Sequence, residues 1–338
     1  MNYYDTLINQ IEDGKKIKKR FTNKYLSSLS QCIGGVQKSR YYLIGADPGV
    51  GKTTLTDQLL LDILIDLYEN GGELDVEIHY WSLELAVEVK LLKWVSYKMW
   101  VDKGAPMNPD LLTSGQLHPK IEEAIRTDYK PFLDFLQTKI KFYTKGSVKS
   151  INDSLNQVVR DNGQIINGKY VEHNPNCIVL SVIDHVGLLE EANRPKAIEL
   201  LSKQAVGFRN NYYITSMHVQ QFNRTANSVE RQKFNPAPQR DDFKDTSTTF
   251  ESCDVALGII NPAAYNNDTF KQYDLTKFDK ASFRSIHVMK NRYGRFPASS
   301  SVGLYGVTGW FFELPATITD QDYNIINDYK ALHKQYAI

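Results

Sequence analysis

The stretch IGADPGVGKT (44–53) has the residue types and spacing of a phosphate cradle. From Ala46 to Thr53 it reads A-D-P-G-V-G-K-T, against the usual G-x-x-x-x-G-K-[ST]. Asp47, Pro48 and Val50 fill the variable places, and Gly49 and Gly51 supply a flexible backbone that lets consecutive N–H groups surround anionic oxygens. Lys52 would reach the β- and γ-phosphates and Thr53 would hold Mg²⁺. Thr54 continues into the helix whose N-terminus favours negative charge. The expected ligand is a nucleoside triphosphate with Mg²⁺, ATP in the first instance.

Phosphoryl transfer also needs a carboxylate near the metal and a group that activates water. Asp184, which ends the run IVLSVID, is the candidate metal-shell carboxylate; its plain alternative is a strand-terminal aspartate. Glu84 in YWSLE could orient the attacking water as a general base, or simply cap the next helix. Gln221, which follows YYITSMHVQ, could sense the γ-phosphate or do nothing beyond ending a strand.

These residues need elements that bring them to one place. Short apolar runs ending in glycine or a carboxylate predict strands at 40–46, 76–84, 140–144, 177–184 and 212–219. Three more are expected in VALGIIN, FRSIHVMKN and GWFFEL. Helical spacing predicts helices over 52–70, 86–101, 150–161 (with Ser150 as N-cap) and 197–210. The region 102–145 is helical but broken by prolines, 162–176 reads as an exposed turn-rich insertion, and 223–250 is long and polar. Alternating strands and helices imply an α/β fold, a P-loop NTPase core whose mostly parallel sheet carries helices on both faces. Nucleotides then bind where the parallel strands end.

Bulk properties narrow the class further. The 338 residues are 42% hydrophobic and 23% charged, with net charge +1, which excludes a basic surface over the whole molecule. GKKIKKR (14–20) is a local basic patch, either a solvated helix end or a nucleic-acid contact. Cys32, Cys177 and Cys253 form no C-x-x-C pair, which fits a reducing cytoplasm and argues against a zinc module. MNYYDTLINQ has no apolar core for a signal peptide, and LLLDILIDL is interrupted by Asp62 and Asp66. The expectation is a cytoplasmic protein without a membrane segment.

GADPGVGKTT, SLEL, IVLSVIDHVGLL, QQFNR and MKNRYG occur in one order over about residues 30–313. In this the chain resembles the DnaB-type replicative helicases, hexameric motors with a RecA-like core. The resemblance implies a catalytic role for Glu84, a metal-shell role for Asp184 and a coupling role for Gln221 between γ-phosphate and DNA loops. It implies that Lys290 and Arg292, in KNR, are the lysine and arginine finger inserted into a neighbouring subunit's site. On residues alone the pair reads as a surface basic pair. The stretch 223–252 would line a central pore, with Arg224, Arg240 and Lys244 on single-stranded DNA; Lys244 falls where the family's DLRES segment has an arginine.

The implied organisation is an N-terminal extension (1–25), a motor domain (26–315) and a helical tail (316–338), without the family's separate helical N-terminal domain. A phage or mobile-element form fits that pattern, with a primase or helicase loader as further partners. Two departures stand out: DHVGL where DYLQL is common, which puts Gly187 in place of a polar residue, and the 162–176 insertion. The competing functions are a recombinase-like filament ATPase and a regulatory or loading ATPase that does not unwind DNA.

Overall fold

The computed structural model describes residues 3–4, 7–8, 11–12, 20–114, 117–223, 237–279 and 282–337, with backbone only at 112–113 and 244–247. Its centre is built from strands Tyr41–Ala46 (β1), Asp75–Ser82 (β2), Ile140–Tyr143 (β3), Cys177–Asp184 (β4), Thr215–Gln221 (β5) and Val255–Ile260 (β6). Ser282–Asn291 (β7), Ala298–Tyr305 (β8) and Trp310–Glu313 (β9) extend it. Among the described residues these strands form one nine-stranded sheet, ordered β9-β8-β7-β6-β1-β5-β4-β2-β3. Neighbours from β6 to β3 pair parallel, and β6 to β9 pair antiparallel. The α/β class and the mostly parallel sheet are as expected from the sequence.

The strands β1, β4 and β6 are buried at every position, as strands covered on both faces must be. Alternation along β4 divides its side chains between two cores. Ile178, Leu180 and Val182 meet helix Lys52–Asn70 (α1) and helix Val87–Lys103 (α2) through Leu60, Leu64, Trp94 and Tyr97. Val179 and Ile183 meet helix Val148–Asn162 (α3) and helix Arg194–Tyr212 (α4) through Ile151, Leu155, Ile198 and Leu201. Each fully buried leucine or isoleucine contributes roughly 1.5–3 kcal/mol, so α1 and the sheet are held together mainly by apolar burial.

Several boundaries differ from the sequence expectation. Strand β2 stops at Ser82, so Glu84 stands beyond the strand rather than at its end. The cap of α3 is Ser147 rather than Ser150; Ser150 sits at the third helical position and closes a capping box with it. Tyr212 ends α4 instead of starting β5, and Tyr213 at φ +60° turns the chain. The 162–176 insertion is in part a hairpin, Gly163–Ile166 against Lys169–Glu172, anchored by Tyr170 edge-on to Tyr212 at 5.3 Å. Strand β8 is not among the expected strands, because ASSSVGLY is small and polar in its first half and buried only in its second.

Residues outside the sheet complete its α1 face. Phe21, Tyr25 and Leu26 belong to the same core as α1, and Tyr25 meets Trp310 edge-on at 5.5 Å. Helices Asp320–Asn327 and Tyr329–Tyr336 return to that face, where His333 packs against Trp100 at 5.1 Å. No described helix is long and apolar enough to cross a membrane.

Candidate nucleotide-binding site

The parallel strands β1, β2, β4 and β5 end on one edge of the sheet, and the cradle is the turn from β1 into α1. Gly49 and Gly51 have φ of +71° and +116°, which glycine adopts at little cost and other residues do not. No side chain caps the start of α1 among the described residues, so the N–H groups of its first turn are left for an external acceptor. The loop is braced from behind. The buried Arg284 Nε donates to Val50 O at 2.9 Å, and Tyr265 Oη donates to Asp47 Oδ2 at 2.9 Å.

Lys52 is buried, and its Nζ donates to Asp47 O at 2.9 Å. Burial lowers its pKa, opposed by the nearby carboxylates Glu84, Asp184 and Asp47. Thr53 Oγ1 donates to Asp184 Oδ1 at 3.0 Å, joining the first turn of α1 to the end of β4. A hydroxyl and a carboxylate oxygen side by side are hard oxygen donors of the kind Mg²⁺ takes. That pair therefore fits the metal the cradle calls for.

Glu84 is exposed, two residues past β2, on a segment tied down at several points. Leu83 N–H donates to Asp184 O at 2.8 Å, and Ser82 Oγ donates to Leu85 O at 2.6 Å. A cavity of about 230 Å³ is lined by Lys52, Thr53, Glu84, His185 and Gln221 together. The arrangement can hold an anionic, metal-bound group against Lys52 with a carboxylate facing it across the cleft.

Two features of this edge are not evident in the sequence. His185 lines the cleft, its pKa lowered by burial and raised in part by Glu84 and Asp184. Its Nδ1 accepts from Gly187 N–H at 3.1 Å, which fixes the ring where the related motif has tyrosine. Behind the cleft lies a buried polar cluster of Asp57, Tyr80, Lys90 and Asp184. Lys90 Nζ donates to Asp57 Oδ1 and Oδ2 at 3.0 and 3.1 Å. Burial pushes the Asp57 carboxyl up, and Lys90 pulls it back. The available signal was Lys90 at helical spacing from Trp94 and Tyr97, a charge on an otherwise apolar stripe.

Lys290 and Arg292 are not in this cleft. Lys290 pairs with Ala256, which pairs with Leu43, the third residue of β1, roughly 10 Å from the strand's end at ~3.3 Å per residue, and Arg292 N–H donates to Asp254 O, beside Tyr41 at the start of β1. Its Nζ donates to Phe250 O and Glu251 O, both at 2.7 Å. Arg292 Nη2 donates to Glu251 O at 2.8 Å, and its Nε is 3.8 Å from the buried Asp254. Arg240 is exposed and paired with Glu251. The side chain of Lys244 and the whole of Arg224 lie outside the described residues.

Residues 23–300 match the DnaB-like helicase C-terminal domain family. Among solved structures, one described as an ATPase domain superposes with a TM-score of 0.64 at 17% identity, covering 92% of this chain and 98% of that one. A DnaB-like replicative helicase described with its interactions with primase superposes with a TM-score of 0.65 at 17% identity, over 92% of this chain. The present chain spans 66% of that protein's length. No curated protein matches the sequence. The RecA-like fold is thus shared with replicative helicase ATPase domains, and the match over most of its length establishes that the chain belongs to the DnaB-like helicase C-terminal domain family.

Proposed function

We propose that the chain is an ATP-hydrolysing motor that moves along single-stranded DNA during replication, working as a hexameric ring. One observation carries this reading: Lys52, Thr53, Glu84 and Gln221 share one cleft, whereas Lys290 and Arg292 stand near the opposite ends of the parallel strands. A cation pair that cannot reach its own cradle supports a site completed by a neighbouring copy. An arginine supplied in trans neutralises transition-state charge only when the assembly has formed.

In this reading the cradle residues Ala46 to Thr54 hold the triphosphate, with Lys52 on the β- and γ-phosphates. Thr53 and Asp184 hold Mg²⁺, which when bound neutralises phosphate charge. Glu84 orients the attacking water and Gln221 links the γ-phosphate end of the cleft to the chain that follows β5. Arg224, Arg240 and Lys244 contact DNA phosphates from the pore, each adding to the salt dependence of binding. A cytoplasmic setting, contact with a primase or loader, and a phage or mobile-element source go with this function. So does the division into extension, motor (26–315) and tail.

The test is ATPase activity with and without single-stranded DNA, alongside a mass measurement of the assembly and a forked-duplex unwinding assay. DNA-stimulated hydrolysis by a hexamer, with unwinding that Lys52→Ala abolishes, is the expected result. Hydrolysis without DNA binding or unwinding overturns the helicase reading and leaves a regulatory ATPase.

A further inference from the structure

The cluster behind the cleft joins four elements through four side chains. Asp57 comes from α1, Tyr80 from β2, Lys90 from α2 and Asp184 from β4. Lys90 is fully buried and its ammonium makes three hydrogen bonds, two to Asp57 and one to Tyr80 Oη at 2.8 Å. An ammonium has three protons, so none is left for Asp184, whose Oδ2 lies 3.6 Å from Nζ. Tyr80 Oη is within reach of both carboxylates, 2.9 Å from Asp57 Oδ1 and 3.0 Å from Asp184 Oδ2.

A phenol has a single proton, and Asp57 already takes two hydrogen bonds from Lys90. The carboxylate oxygen that depends on Tyr80 is Asp184 Oδ2, since Oδ1 is bonded to Thr53. With its second oxygen held from behind, Asp184 presents the first toward Thr53 and the cradle. Lys90 in turn fixes the Tyr80 oxygen. It also ties down the start of α2, three residues after Val87 and six after Glu84.

Burial of ions gives no net stability to speak of when an apolar cluster would serve as well. Two buried carboxylates stand beside a single ammonium here, so a stabilising role is a weak account of the arrangement. A position one shell behind a metal carboxylate is a stronger one, because groups in such positions orient the ligand.

We propose that Tyr80 and Lys90 are positioning residues for the metal site, aligning Asp184 so that Mg²⁺ is bound with nucleotide. This inference rests on the nucleotide-site reading above. Neither residue touches the reacting atoms; both act through Asp184 and through the segment that carries Glu84.

The test measures binding of a fluorescent N-methylanthraniloyl-ADP to the full chain as Mg²⁺ is titrated, with thermal unfolding in parallel. Tyr80→Phe keeps the ring against Phe142, 5.6 Å away, and removes only the hydroxyl. The Mg²⁺ concentration at half-saturation should rise about 10- to 100-fold, while binding in EDTA stays within about twofold. Tyr97→Phe removes another buried hydroxyl of α2, one bonded to Asp62 instead, and should leave the Mg²⁺ midpoint unchanged. The double variant Asp57→Asn/Lys90→Met removes one charge of each sign, keeps the net charge of the cluster, and should shift the Mg²⁺ midpoint in the same direction as Tyr80→Phe.

A Mg²⁺ midpoint unchanged in both Tyr80→Phe and the double variant overturns the inference, whatever happens to the unfolding temperature. So does a shift of the same size in Tyr97→Phe. Wild-type protein that binds no nucleotide at any Mg²⁺ concentration overturns the nucleotide-site reading itself, a different and recognisable failure.

Discussion

The two edges of the sheet are built from the same kinds of residue and use them differently. On the edge where β1, β2, β4 and β5 end, side chains meet one another within the chain. Thr53 meets Asp184, Tyr80 meets Asp184, and Lys90 meets Asp57. On the opposite edge Lys290 and Arg292 lie on the backbone carbonyls of Phe250 and Glu251, the last turn of a short helix. Cations at a helix C-terminus are favourable by about 0.3–1 kcal/mol when exposed, which is a light hold. The side chains of the first edge are therefore tied to one another within one copy of the chain. The second holds Lys290 and Arg292 on backbone carbonyls, with Arg292 also 3.8 Å from Asp254.

The largest expected effect breaks or keeps that contrast. Arg292→Ala should lower the ATPase of the assembled protein about 10³-fold or more, as loss of an arginine finger does. The nucleotide affinity of the dissociated chain should stay as it was. Mixing the variant with wild type should depress hydrolysis more than dilution accounts for. Simple additivity across mixing ratios would mean that the second edge has no neighbour to serve.

Changes to the cradle and to Glu84 should lower the activity of the copy that carries them. Lys52→Ala should reduce hydrolysis by about 10²–10³-fold, the range for removing one preorganised charge-stabilising donor, and should weaken triphosphate binding. Glu84→Gln should lower kcat about 10²-fold, at the lower end for general-base catalysis, while nucleotide still binds. A Glu84→Gln protein with normal turnover would return Glu84 to the simple capping role.

Smaller still is the effect expected on DNA. Lys244→Ala should weaken single-stranded DNA binding and reduce the slope of log K against log salt by about 0.7, the value for one phosphate contact on a single strand. An unchanged slope would remove Lys244 from the interface.

How much of this was legible in the sequence follows from which interactions are local. The cradle was, because phosphate binding by a turn and a helix start needs residues at fixed short spacing, 46–53 here. The strand end at Asp184 was, because a continuous apolar run ends visibly at a carboxylate; the strand before Gln221 was expected over 212–219 and runs instead over Thr215–Gln221, because its Thr, Ser, His and Gln residues blur both limits. Strand β8 was not, since Ser299, Ser300 and Ser301 carry no apolar alternation and their place is decided by pairing with β7. The Asp57, Tyr80, Lys90 and Asp184 cluster was not, because its members are spread from 57 to 184 and meet only through tertiary packing. Arg284 is hidden within an apolar strand; its partner Val50 lies 234 residues earlier. The role proposed for Lys290 and Arg292 was visible only through resemblance, because it needs a second molecule.

The contrast between satisfied and unsatisfied charge also runs along α1, and this gives the most delicate test. Asp57, one turn past Thr53, has the Lys90 ammonium. Asp62 is held by Tyr97 Oη and by the Asn23 amide, both neutral. Burial is the largest influence on Asp62, and it raises the carboxyl from 3.8 to about 7. The folded chain then keeps this proton to a higher pH than the unfolded chain does. The contribution is fully present below about pH 4 and is lost as pH rises through about 7. Its full size is at most about 4 kcal/mol for a carboxyl moved that far. Asp62→Asn removes the titration and keeps an acceptor for Tyr97. Between pH 5 and pH 8 the unfolding temperature of wild type should therefore fall relative to that of Asp62→Asn. Hydrolysis at fixed pH should remain within about twofold, since Asp62 lies outside the cleft. Parallel pH profiles would show that Asp62 is ionised throughout, and that α1 tolerates a half-buried carboxylate without the cation Asp57 has.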